Sequence, residues 1–217
     1  MPQEKVIKVY RFTELSEEVQ NKLIEKCREN GVYNDFQTQD ISEDFRNRLE
    51  ELGYGETKVG WSLSYSQGDG MAWDGSVSGS DLKTLRDRLF SKGHTVRRVL
   101  NSRVLDNLSM TVKQSGHYYH WNSMNVEIDN ADYRYETPAQ EAAIVQFREA
   151  IAEDVKDTSR MLEKEGYAAI EYNESDEVIR ENIIANNEDT WYMVDGRIFH
   201  ETWESDAQPP LPFEAAA

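Results

Sequence analysis

Chemistry in this chain would most naturally gather at Gln67-Gly68-Asp69-Gly70. Glycines let backbone N–H groups close on an anion, and the Asp69 carboxylate is of a type that binds a cation or acts as a base. Trp73 follows three residues later and could offer a ring face to a ligand, as could Trp61 upstream. The same four residues also make an ordinary hairpin turn, in which Gly68 and Gly70 supply positive φ and Asp69 is exchangeable for asparagine.

His117 and His120, set among Tyr118, Tyr119 and Trp121, are the closest histidine pair. Their spacing would place both rings on one face of a helix, but Gly116 and the aromatic run argue for a loop, and no third ligand is evident. No metal and no cofactor is therefore expected. Cys27 is the single cysteine, which excludes an intramolecular disulfide and a cysteine zinc cage. No serine sits in a Gly-x-Ser-x-Gly elbow, and phosphate-cradling motifs are absent. Asp69 with Asp74 could form a hydrolytic carboxylate pair, although close pairs arise by chance in so acidic a chain.

The 217 residues include 41 acids and 24 bases, a net charge of -17. Such a chain is repelled by phosphate backbones and anionic lipid, so neither direct nucleic-acid binding nor a membrane role is expected. Acids concentrate between Glu127 and Asp189, and Glu149, Glu153, Asp154 and Asp157 form a candidate surface for a basic partner. A locally basic stretch includes Arg86, Arg88 and Arg97. Near the end, Gln208-Pro209-Pro210-Leu211-Pro212-Phe213 has the form of a peptide that docks in a bacterial sliding clamp, with Gln208, Leu211 and Phe213 as contacts. The alternative for that segment is a proline-containing disordered tail over 204–217.

The elements that must position these residues read as α+β: an antiparallel sheet built from hairpins and packed against several amphipathic helices. Lys5 to Phe12 alternates as an opening strand. Ser16 caps a helix whose Val19, Leu23 and Cys27 recur every four residues and which Gly31 ends. A second helix reads from Asp40 or Ser42, with Ile41, Phe45, Leu49 and Leu52 on one face, to Gly53. Val59, Trp61, Leu63 and Tyr65 alternate along a half-buried strand, and Met71 with Trp73 begins its return. Helices are expected near Leu82 to Leu89 and Val96 to Leu108, followed by strands at Met110-Val112 and Met124-Ile128. Thr137-Pro138-Ala139-Gln140 is a capping box with proline at the first helical position, and the helix it starts is expected to end at Gly166. A shorter helix near Ser175 to Asn186 and a closing hairpin at Asp195-Gly196 complete one domain over 1–203.

Phe12-Thr13-Glu14-Leu15-Ser16, Ser66-Gln67-Gly68-Asp69-Gly70, Tyr118-Tyr119-His120, Leu162-Glu163-Lys164-Glu165 and Ile184-Ala185-Asn186-Asn187 resemble, in this order, motifs of a family of bacteriophage and prophage accessory proteins. The family's hairpin continues with small residues and phenylalanine where this chain has Met71-Ala72-Trp73. Its members are of unknown function or loosely called antitoxins. The resemblance implies phage origin and an accessory role. Taken with the acidic surface and the single cysteine, it leads to the expectation of a protein in the bacterial cytoplasm that binds and inhibits a host protein with a basic or nucleic-acid-binding surface, as a counter-defence factor, antitoxin-like neutraliser or DNA mimic. Two alternatives stand beside it: a small hydrolase or nucleotide-binding protein using Gln67 to Gly70, and a clamp-binding replication modulator.

Overall fold

A computed structural model describes residues 6–31, 34–130 and 137–200. The elements run α1 (Glu17–Asn30), α2 (Asn34–Glu51), β1 (Thr57–Ser62), β2 (Gly70–Ser78), α3 (Ser80–Leu89), α4 (Thr95–Val99), α5 (Ser102–Leu105), β3 (Leu108–Gln114), β4 (Met124–Asn130), α6 (Pro138–Asn173) and α7 (Asp176–Asn186). Short 3-10 turns precede α1 at Phe12–Glu14 and β4 at Trp121–Ser123. This is the α+β mixture expected, and the chain groups into two compact units, 1–35 with 171–217, and 36–170.

In the first unit, α1 and α7 share a small core of Phe12, Leu15, Ile24, Ile179, Ile183 and Tyr192, with Cys27 packed at its margin. Burial raises the pKa of the Cys27 thiol, which keeps it in its unreactive form. Gly31 adopts the left-handed conformation (φ 59°) and ends α1 as expected. The opening strand and the closing hairpin are reduced to bridges joining Tyr10 to Tyr192 and Tyr192 to Ile198.

The second unit is built on a four-stranded antiparallel meander, β1-β2-β3-β4. Val59 faces Trp73 across β1 and β2, and Val112 faces Val126 across β3 and β4. Both hairpin loops, 63–69 and 115–123, therefore lie at the same end of the sheet. The helix α6 starts where its sequence says it must: the Thr137 hydroxyl accepts from the Gln140 N–H at 3.3 Å, and the Gln140 side chain accepts from the Thr137 N–H at 2.9 Å. Its Ala143, Phe147, Ile151, Val155 and Leu162 enter a core with Leu49, Tyr54, Trp73, Leu85 and Met110.

Three helix boundaries differ from expectation for identifiable reasons. α2 begins earlier, because Ser42 is no cap: its hydroxyl donates back to the Thr38 carbonyl at 2.7 Å inside the helix. The helix expected from Val96 to Leu108 is broken between α4 and α5. There the buried Arg86 guanidinium takes the Leu100 carbonyl at 2.5 Å, and the Asn101 side chain caps a new turn at Val104. Gly166 does not end α6. A Cβ there would stand 2.5 Å from Leu63 Cδ1 and 2.8 Å from Phe45 Cζ, so glycine allows both side chains to lie against the α6 backbone.

Candidate functional site

The segment joining β1 to β2 is longer than a tight turn, and it is organised around Asp69. Asp69 is 7% exposed. Its carboxylate accepts from the Ser62 hydroxyl (2.8 Å), the Ser64 N–H (2.6 Å), the Ser66 N–H (2.8 Å), the Ser66 hydroxyl (2.9 Å) and the Tyr167 hydroxyl (2.9 Å). A sixth donor, the Ser64 hydroxyl, lies at 3.3 Å. A carboxylate offers about four lone-pair sites, so this one is saturated by its own chain. Burial alone raises the pKa of such a group. Here the Ser66 N–H and the hydroxyls of Ser62, Ser66 and Tyr167 outweigh that and hold it well below the usual carboxylate range. The anion for which the loop's N–H groups are arranged is thus Asp69 itself.

This arrangement also sets Tyr65. The N–H groups on both sides of it, Ser64 and Ser66, point at Asp69, which forces Tyr65 into the left-handed region at φ 57°. It is the one non-glycine residue there among the described residues. The conformation costs on the order of 1–2 kcal/mol and persists only because its surroundings impose it. The Tyr65 ring packs on Tyr167, with centroids 4.6 Å apart, yet the residue is 77% exposed.

The β3-β4 loop lies over this one. The ring of Tyr118 occupies the space a Cβ on Gly68 would need, and the ring of Tyr119 does the same at Gly60. At Gly70 (φ 152°) the Tyr119 carbonyl oxygen lies 2.3 Å from where a Cβ would be. These glycines are a cradle for the second loop as well as a turn. His120 caps the 3-10 turn by accepting the Asn122 N–H at 3.1 Å, and the Arg160 guanidinium stacks 3.7 Å over the Trp121 ring. Tyr118 and Tyr119 remain 63% and 36% exposed. Neither 63–68 nor 115–123 contains Asp, Glu, Lys or Arg, in a chain that is 30% charged.

The residues singled out from sequence divide accordingly. Gln67 is exposed and Gly68 half-buried beneath Tyr118, but Asp69, Gly70 and Trp73 are buried and cannot meet a partner. Trp73 packs edge-on against Tyr54, with centroids 5.3 Å apart, in the middle of the core. On α6, Glu149 and Glu153 face solvent, whereas Asp157 pairs with Arg160 at 2.7 Å. Asp154 is not a free acid at all. Arg88 holds it through two bonds of 2.7 and 2.6 Å, and the buried Tyr54 hydroxyl donates to it at 2.5 Å. The basic stretch is likewise spent internally at Arg86 and Arg88, and at Arg97, which pairs with Asp87 at 3.1 Å. Gln208, Leu211 and Phe213 lie outside the described residues.

Tyr65 is the site residue that strand alternation concealed, since its pattern assigns it to the same buried face as Leu63. The absence of charge from two aromatic loops was the signal available. Among the described residues, no three His, Cys, Asp or Glu side chains converge as metal ligands, and no helix is long and apolar enough to cross a membrane.

Residues 15–178, about three quarters of the chain, match a family described as a domain of unknown function (DUF8835). No curated protein and no solved structure matches the chain.

Proposed function

Because this chain belongs to the DUF8835 family, whose description assigns no activity, we propose from its geometry that it is a binding protein. It engages and inhibits a host protein, and the paired loops 63–69 and 115–123 are the contact surface. The observation that carries this reading is the set of exposed rings of Tyr65, Tyr118 and Tyr119 on two loops braced against each other, in which the one carboxylate, Asp69, is buried. Loops rich in tyrosine, serine, glycine and asparagine are the composition of antibody paratopes: tyrosine gives large contact area at low entropic cost, and small polar residues supply adaptable hydrogen bonds. Bracing the loops beforehand removes part of the ordering cost of association. The host setting comes from the likeness to phage accessory proteins, and the exposed Glu149 and Glu153 favour a partner with basic surface.

A hydrolase centred on Asp69 fits less well, because a general base needs a lone pair turned toward substrate and this carboxylate has none left. The test is affinity capture from a bacterial lysate with the full chain and with Tyr65→Ser/Tyr118→Ser. Loss of a specific partner with an unchanged melting temperature supports the loops. Retained capture by that variant, with loss in Glu149→Gln/Glu153→Gln, moves the contact to α6.

A further inference from the structure

The second unit also carries a groove of about 440 Å³ between α2 and α6. Its floor is made by the buried ring of Phe45, which lies against the α6 backbone at Gly166, and by the small side chain of Ala169. Its walls are charged. Arg48 is paired with Glu51 at 2.8 Å, while Asp44 and Glu165 have no ion pair or hydrogen bond among the described residues. Three carboxylates therefore line an apolar floor against one guanidinium that is already engaged.

We infer that this groove docks a basic amphipathic helix of a partner protein, with an apolar side chain on the Gly166–Ala169 floor and neighbouring lysine or arginine heads at Asp44 and Glu165. Charge complementarity selects that occupant. A nucleic acid brings phosphates to a wall of carboxylates, and a second copy of the chain brings another net charge of -17. A groove between helices is suited to apolar anchors spaced along one helical face, and the volume is within the range that receives a few side chains. The wall charges contribute orientation and encounter rate, and the floor contributes affinity. The groove adjoins the first loop where Leu63 packs on Gly166, but Tyr65, Tyr118 and Tyr119 are not among the residues that line it, so either reading can fail without the other.

The experiment is calorimetric titration of the full chain, at low salt, with a synthetic leucine–lysine amphipathic helical peptide and with its leucine–glutamate counterpart. Saturable one-to-one binding of the lysine peptide alone is expected. It should weaken about tenfold in Asp44→Asn/Glu165→Gln, which removes the charges without changing shape, and in Ala169→Leu, which fills the floor. Glu149→Gln/Glu153→Gln, with acids elsewhere on α6, should bind as the wild type does, as should Tyr65→Ser/Tyr118→Ser. Circular dichroism establishes that each variant is folded. Absence of saturable binding overturns the proposal, as does equal weakening by the Glu149/Glu153 control, which would mark undirected attraction to acid. Dimerisation in light scattering that Ala169→Leu abolishes also overturns it, by assigning the groove to a second copy.

Discussion

The Tyr167 hydroxyl donates to the Asp69 carboxylate at 2.9 Å across 98 positions of sequence, and so fastens the β1-β2 loop to α6. That bond, with the two N–H groups that flank Tyr65, makes Asp69 an acceptor hub rather than a turn residue. Asparagine is consequently a poor substitute, contrary to what the turn reading suggests. Its amide would set N–H donors against donors already in place. Asp69→Asn should lower the unfolding free energy by about 2–4 kcal/mol, and Tyr167→Phe by about 1 kcal/mol. Urea unfolding checks both, and a loss under 0.5 kcal/mol in Asp69→Asn would show that the hub contributes little.

The glycine cradle separates two kinds of close approach. Gly70→Ala drives a Cβ into the Tyr119 backbone at an unfavourable φ, with a cost of about 2–4 kcal/mol. Gly60→Ala meets only the Tyr119 ring, which is partly exposed and free to swing outward, so the cost should be about 1 kcal/mol. Gly60→Ala should instead displace the 115–123 loop, read as chemical-shift changes at Tyr118 and Tyr119. Equal costs at the two glycines would contradict the cradle.

On α6, adjacent acids should behave oppositely. Asp154→Ala strands both the Tyr54 hydroxyl and Arg88 and should cost about 2–3 kcal/mol. Glu153→Ala removes an exposed charge and should stay within about 0.5 kcal/mol. Thermal melts of the two single variants decide it. Similar melting temperatures would mean that the Tyr54-Asp154-Arg88 group is not structural.

Stability should fall at both ends of the pH scale through different groups. The folded pKa of Asp69 is depressed, so its contribution is complete above the unfolded carboxyl value of about 4 and is lost as pH falls below it toward the folded value. Tyr167 runs the other way: burial first, and the bond to Asp69 second, push its phenol up to about 12. Tyr54 is raised as well, by burial and then by Asp154. Their contributions are complete below the unfolded phenol value of about 10 and are lost as pH rises through the folded values. Ultraviolet titration should show two late-ionising tyrosines, and Tyr54→Phe/Tyr167→Phe should flatten the alkaline loss. An unchanged alkaline profile in that variant would refute the assignment.

Much of the local architecture was determined by the sequence alone. The Thr137-Pro138-Gln140 box starts α6, Gly31 ends α1, and Val59 and Trp61 fall in the strand their alternation predicts, because caps and periodicities depend on residues within a few positions. That strand ends at Ser62, before Leu63 and Tyr65. The tertiary structure alone decided what those elements bury and which charges they consume. Trp73 became core, Asp154 an internal partner and Gly166 a packing contact inside a helix, while Tyr65, assigned by alternation to a buried face, emerged strained and exposed. Each of these outcomes depends on a group brought in from a distant segment: Tyr54 on Trp73 and Asp154, Phe45 on Gly166, Tyr167 on Asp69. Hydrogen-bond saturation and burial are properties of such encounters, and no short window of sequence contains both partners.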